Sequence, residues 1–191
     1  MKSFMRNNNK NKKKGFTLIE TLVAISMLAI SIAAVMSAIQ LSVRSTAFSK
    51  SEVTAKFLAE EGVESIRNLR DKNIINLGQS AWLTNIANAG GPCGDVTTGA
   101  VKKCDIDVVA QTNPTNCPSG TCSPLLYNAA TNIYNKTTGT ASPFTRSISV
   151  TRVDGGASPY SVLVHVVVSW PSQIGTLTAT ADDYIYAWYL P

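Results

Sequence analysis

From Phe16 onward the chain turns abruptly apolar. Between Phe16 and Val43 the single charged side chain is Glu20, and Thr21–Val43 is 23 residues without a charge. At about 1.5 Å per residue such a run makes a helix of roughly 35 Å, enough to cross the ~30 Å hydrocarbon core of a bilayer. The pattern then changes without a break. Arg44–Asn73 has no proline and one glycine, Gly62. Within it Ala55, Leu58, Ala59, Gly62, Ile66 and Leu69 recur at spacings of three and four, an apolar stripe on one helix face. Lys56 with Glu60, and Arg67 with Asp71, are opposite charges four apart, each pair adding a few tenths of a kcal/mol on a solvated face. One long helix over Thr17–Arg70 accounts for the whole stretch, its outer half carrying a domain on the stripe.

After Asn73 the periodicity is lost. Residues 74–143 are rich in Gly, Pro, Asn, Thr and Ser, with clusters such as Ala89-Gly90-Gly91-Pro92 and Asn116-Cys117-Pro118-Ser119-Gly120 that signal turns and loops. Trp82 and Leu83 suit a short helical turn, and Ile106–Ala110 a strand. The region has too few apolar residues to order itself by burial alone. Alternation then takes over. Phe144–Val153 alternates around Ile148 and Val150, and Tyr160–Trp170 carries Val162, Val164, Val166, Val168 and Trp170 on one face. Leu177–Thr180 and Tyr184–Tyr189 continue it with aromatics. Breaks at Asp154-Gly155-Gly156 and Pro171–Gly175 make these consecutive hairpin-linked antiparallel strands. The fold class is α+β: a long N-terminal spine helix, its inner half transmembrane, packed against a C-terminal antiparallel β-sheet.

Charge sharpens the N-terminal reading. Of the 17 basic residues six (Lys2, Arg6, Lys10, Lys12, Lys13, Lys14) fall in residues 1–15, which hold no acid; the rest of the chain has eleven basic against twelve acidic groups. The basic character belongs to the leader and implies no nucleic-acid contact, which needs basic groups clustered on a folded surface. Basic residues ahead of an apolar span keep that side cytoplasmic, so the chain beyond Val43 lies outside. A cleaved secretory signal would have an apolar region of only ~7–15 residues and a small-x-small site; Met36-Ser37-Ala38 is a poor one. A plain anchor helix explains the length but leaves Gly15 and Glu20 without a purpose.

Outside the cytoplasm the four cysteines, Cys93, Cys104, Cys117 and Cys122, can form disulfides. Three pairings are open; Cys93–Cys104 with Cys117–Cys122 closes two short local loops and is favoured. Zinc is the rival, but the spacings lack paired C-x2-C knuckles and a nearby histidine, so no metal is expected.

Catalytic constellations are lacking. His165, the only histidine, lies inside the strongest strand with no nucleophile motif beside it. Asp105 and Asp107 sit two apart on the predicted strand, Asp182-Asp183 at a bend or bulge, and neither pair has the glycines and oxygen ligands of a calcium loop. No phosphate-binding glycine loop occurs. The expectation is a protein without enzymatic activity or cofactor.

A basic leader, Gly15, then Phe16-Thr17-Leu18-Ile19-Glu20 and some twenty apolar residues together resemble the class III signal of type IV pilins and pseudopilins. The resemblance implies that a membrane-embedded prepilin peptidase cuts between Gly15 and Phe16 and methylates the new Phe16 amine. Glycine leaves room for a protease to grip the backbone. Glu20 of one subunit would pair with the Phe16 amine of a neighbour in a low-dielectric filament core, where unpaired charge is costly. Phe57–Asp71 is similar to the outer spine helix of PilV-type minor pilins. The absence of proline from the apolar helix also favours an accessory subunit. What this implies is a structural subunit, of the minor class, of a type IV pilus-like filament, with a pseudopilin of type II secretion or DNA uptake as the alternative and an anchored extracytoplasmic enzyme or receptor as the remaining one. Its partners would be the peptidase, other pilin subunits, an inner-membrane assembly platform and, before assembly, the lipid bilayer. The expected parts are a cleaved leader (1–15), a membrane half (16–43) and outer half (44–73) of the spine, a disulfide-stapled loop region (74–143) and the sheet (144–191).

Overall fold

The computed structural model describes residues 15–153, 160–173 and 175–187. The leader lysines, the Asp154-Gly155-Gly156 turn and the aromatic end at Trp188 and Tyr189 lie outside these. The chain divides into two compact units, Met1–Phe48 and Ser49–Pro191, and the helix α1, Leu18–Leu77, belongs to both.

In the first unit every described residue of α1 is exposed, including Leu22, Ile25, Leu28, Ile32 and Val35. The segment is long and apolar enough to cross a membrane. Three of its hydroxyls are handled locally: Ser26, Ser31 and Ser37 donate to the carbonyls of Leu22, Met27 and Ala34 at 2.8 Å, so these three need no external acceptor.

In the second unit the helix buries the stripe read from its spacing, Ala55, Leu58, Ala59, Gly62, Ile66 and Leu69, together with Val63. It runs seven residues past Arg70, since nothing interrupts it before Gly78, whose φ of +88° suits glycine. The buried Asn73 amide then donates to the carbonyls of Trp82 and Thr84, folding the following 3-10 turn (Gln79–Ala81) back so that Trp82 and Leu83 are buried.

Among the described residues ten strands follow: β1 (Gly94–Asp95), β2 (Ala100–Val101), β3 (Cys104–Asp105), β4 (Thr115–Asn116), β5 (Leu126–Asn128), β6 (Ile133–Asn135), β7 (Thr140–Ala141), β8 (Thr145–Arg152), β9 (Ser161–Ser172) and β10 (Gly175–Tyr186). The main antiparallel sheet has the order β10-β9-β8-β3-β4, with β5, β6 and β7 forming a second and β1 and β2 a third. The three long strands form the expected meander. Val162, Val164, Val166, Val168 and Trp170 all face inward and are buried, each contributing roughly 1.5–3 kcal/mol by leaving water. Helix and sheet touch most closely at Gly62, where an added Cβ would lie 2.9 Å from Val166 Cγ1.

Four expectations are corrected. Ile106–Ala110 is a turn, because Asp107 Oδ1 accepts from the amides of Val109 and Ala110 and curls the chain after Asp105. Asp182 and Asp183 make no bulge: β10 keeps one register through them, Asp182 opposite His165 and Asp183 opposite Val164. The strands foreseen at Leu177–Thr180 and from Tyr184 are therefore one, and the break before them shrinks, since Pro171 and Ser172 still belong to β9. The helix charges pair differently. Lys56 meets Glu52 at 2.8 Å, and Arg67 engages Glu64 and reaches across to Asp183 at 2.6 Å, while Asp71 pairs with Arg70. Finally, the loop-rich region orders itself by more than disulfides. It lends β3 and β4 to the main sheet and buries Ile86, Ala87, Val96, Ile106 and Leu125 in the shared core.

The inward face of β8 also holds a charge. Arg146 is 1% exposed and spends its donors on four partners: Asp105 Oδ1 (2.9 Å), Glu61 Oε2 (2.9 Å), and the carbonyls of Ile106 (2.7 Å) and Leu58 (3.4 Å). Lys136 Nζ completes the group 2.9 Å from Asp105 Oδ2. Two cations and two carboxylates thus tie α1, β3, β8 and the chain after β6 together. Burial pushes the Glu61 carboxyl above its ordinary value, against the pull of Arg146.

Candidate processing and assembly segment

Gly15, Phe16 and Thr17 precede the helix and are not helical. Among the described residues no atom lies within 4 Å of where a Gly15 Cβ would be, and Phe16 is 79% exposed. Thr17 explains why the helix begins one residue later than expected. Its side-chain oxygen accepts the amide of Glu20 at 3.3 Å, and its carbonyl accepts that of Thr21 at 3.2 Å. Thr17 is therefore the N-cap and Glu20 the third helical residue, the spacing of a capping box. A carboxylate in the first turn also meets the positive end of the helix dipole. Among the described residues no cation pairs with Glu20. The segment offers a bare peptide bond at Gly15–Phe16 and a lone carboxylate one helical turn beyond it, in a span otherwise uncharged as far as Val43.

The other singled-out residues lie in the second unit. Cys93 is bonded to Cys104 and Cys117 to Cys122, the pairing favoured from the short loops. The two bridges adjoin: the Cys117 amide donates to Lys103 O at 2.8 Å, and Cys122 Sγ lies 3.6 Å from Cys104 O. His165 faces outward from β9 and binds Asp182 on β10. Among the described residues no three His, Cys, Asp or Glu side chains are grouped to hold a metal ion.

A cleft of about 330 Å³ lies between the helix (Ser65, Asn68, Leu69, Lys72) and the turn after Ile106. Its carboxylate, Asp107, is already engaged. Partial burial raises that carboxyl, but the amides of Ala110, Lys136 and Val109 outweigh it and hold it below its ordinary value. Asp95 is held lower still, first by the Thr97 hydroxyl and then by the Gly90 amide; both aspartates are turn-forming groups.

Sequence reasoning missed Arg146. The signal was present: in Thr145-Arg146-Ser147-Ile148-Ser149-Val150 the arginine shares the parity of Ile148 and Val150, and so the buried face.

Comparison with known proteins bears on the first segment. The family model described as the prokaryotic N-terminal methylation motif matches residues 10–36, which contain Gly15, Phe16, Thr17 and Glu20. No curated protein and no solved structure matches the chain. This motif stands at the head of a 60-residue helix that packs its outer part on an antiparallel sheet, and the two together support the type IV pilin and pseudopilin family.

Proposed function

We propose that this chain is the precursor of a structural subunit, of the minor PilV type, in a type IV pilus-like filament. In this reading α1 inserts with the leader on the cytoplasmic side. Prepilin peptidase then cuts between Gly15 and Phe16 and methylates the Phe16 amine. An assembly platform in the inner membrane passes the mature subunit from the bilayer to its neighbours. Glu20 acts between subunits, its carboxylate taking the cationic Phe16 amine of an adjacent chain. That pairing offsets the desolvation of both groups and sets the axial register. The parts follow the division at residues 15, 43, 73 and 143, the helix itself running four residues into the fourth part, to Leu77. Residues 74–143 form the disulfide-stapled region and residues 144–191 the sheet that carries it.

The observation that carries the reading is the conjunction at the N-terminus: the methylation motif over residues 10–36, a non-helical Gly15–Phe16 bond, and Glu20 as the sole charge of the apolar span. An enzyme or receptor held by a plain anchor has no use for that arrangement. A pseudopilin of a secretion or DNA-uptake system has the same use for it and stands as the second reading. Mass spectrometry of the membrane-extracted protein tests the proposal. A mature start at methylated Phe16 is expected; an intact leader, or a cut near Ala38, overturns it. Recovery in sheared filaments separates a pilus subunit from a secretion pseudopilin.

A further inference from the structure

The hydroxyl of Thr17 decides where α1 starts, and with it the state of the peptide bond just upstream. In a helix each amide donates to the carbonyl four residues back. Were α1 to begin one residue earlier, the Glu20 amide would donate to the carbonyl of Phe16. Were it to begin two earlier, the Ile19 amide would take the carbonyl of Gly15, the one joined to Phe16. Instead the Glu20 amide donates to Thr17 Oγ1 at 3.3 Å, and the first helical bond runs from the Thr21 amide to Thr17 O at 3.2 Å. The Thr17 side chain thus competes with the Phe16 carbonyl for one donor and holds it. A side-chain oxygen can do this only while its own residue stays out of the helical conformation. Gly15, Phe16 and Thr17 are accordingly non-helical, and all three are exposed.

We propose that Thr17 is a positioning residue for processing: its cap keeps the Gly15 carbonyl out of the helix and open to a peptidase. The proposal rests on the processing reading given above and adds a second determinant to it. Hydrolysis needs a carbonyl that can turn toward the enzyme's own hydrogen-bond donors. One already held by an amide of its own helix is masked from them. Gly15 acts in the same direction, as a poor helix former, but a glycine only weakens a helix, whereas the cap ends it. The match of the methylation motif to residues 10–36 points to processing on this stretch independently of the hydrogen bonds. Because Thr17 lies on the retained side of the bond, the cap is present both before and after the cut.

The test is the rate at which the full precursor, in detergent micelles, is cut by solubilised prepilin peptidase, with the cut located by mass spectrometry. Thr17→Val keeps the shape of threonine and removes the acceptor; Thr17→Asn keeps an acceptor in another shape. Wild type, Thr17→Ser and Thr17→Asn should be cut between Gly15 and Phe16 at similar rates, since all three cap well. Thr17→Val, and Thr17→Ala as a second variant without the acceptor, should be cut about fivefold more slowly, the mid-range effect of losing an N-cap. In these two the Phe16 Cα chemical shift should move toward its helical value. Equal rates for all variants overturn the proposal. So does fast cutting of Thr17→Val with slow cutting of Thr17→Asn, which would mean that the peptidase reads side-chain shape. Slowed cutting with the Phe16 shift unmoved overturns it as well. A wild type left uncut at this bond sinks the processing reading itself, and the proposal with it.

Discussion

Arg146 Nε donates to Asp105 Oδ1 over 2.9 Å, and both side chains are 1% exposed. Two charges so placed are held by each other and by little solvent, and Glu61, Lys136 and two carbonyls complete their coordination. A pair of this kind contributes less to net stability than its geometry suggests, because both ions have lost their hydration. Breaking it from one side is another matter. Arg146→Met leaves the buried Asp105 carboxylate with only Lys136 and the Ile106 amide and should cost roughly 3–5 kcal/mol, read from urea unfolding of the Ser49–Pro191 unit within the full chain. Arg146→Lys should recover little, since an ammonium cannot serve four acceptors lying in different directions.

Gly62 sets the approach of α1 to β9. Alanine is the better helix former by ~1 kcal/mol, so Gly62→Ala would stabilise an isolated helix. Here the new methyl would sit 2.9 Å from Val166 Cγ1 and 3.2 Å from Arg146 Cδ, and overpacking of this kind costs ~1–3 kcal/mol. The expected outcome is a lowered thermal midpoint, restored in part by adding Val166→Ala. A raised midpoint for the single variant would show that the contact relaxes freely.

Stability should respond to pH with two opposite slopes. The folded-state value of Glu61 is raised above the ordinary 4.5 by burial. Its contribution is therefore greatest below 4.5 and is lost as pH rises through the folded value. Asp107 is lowered from 3.8 by backbone amides, in spite of partial burial, so its contribution is present above 3.8 and lost as pH falls through the folded value. Chemical denaturation across pH 2–8 checks both: Glu61→Gln should remove the decline above 4.5, and Asp107→Asn should flatten the acid limb.

Glu20→Ala separates processing from assembly. The Gly15–Phe16 bond and the Thr17 cap do not depend on the carboxylate, so cleavage should proceed close to the wild-type extent. Incorporation into filaments should fall steeply, as measured by comparing sheared and membrane fractions. Normal incorporation would mean that the Phe16 amine is satisfied without Glu20.

Much of this architecture was legible because it rests on period and parity. The stripe from Ala55 to Leu69 announces a helix face, the valines of β9 a buried strand face, and the glutamate inside an apolar run its own exception. What escaped was long-range and polar. Asp105 reads like any aspartate until Arg146, 41 positions away, is brought against it. Arg67 finds Asp183 rather than Asp71 because β10 lies against the helix and supplies a carboxylate that helical spacing does not include. The two-residue strands β3 and β4 are too short for alternation to reveal, and they join the sheet by pairing with β8 and with each other.

The hydroxyls of Ser26, Ser31 and Ser37 have a bearing on how such a helix changes surroundings. Each donates within its own helix, so these groups travel with their acceptors already in place. A move from lipid to a packed array of other helices breaks none of these bonds and requires no new ones. The apolar side chains are indifferent to that exchange as well, since hydrocarbon and protein interior are similar media. Glu20 is then the one charged group in the span, and its free energy depends strongly on which side of the transfer it stands. On the proposed reading, the electrostatic cost of moving some thirty residues between two solvents is thereby reduced to the fate of one carboxylate.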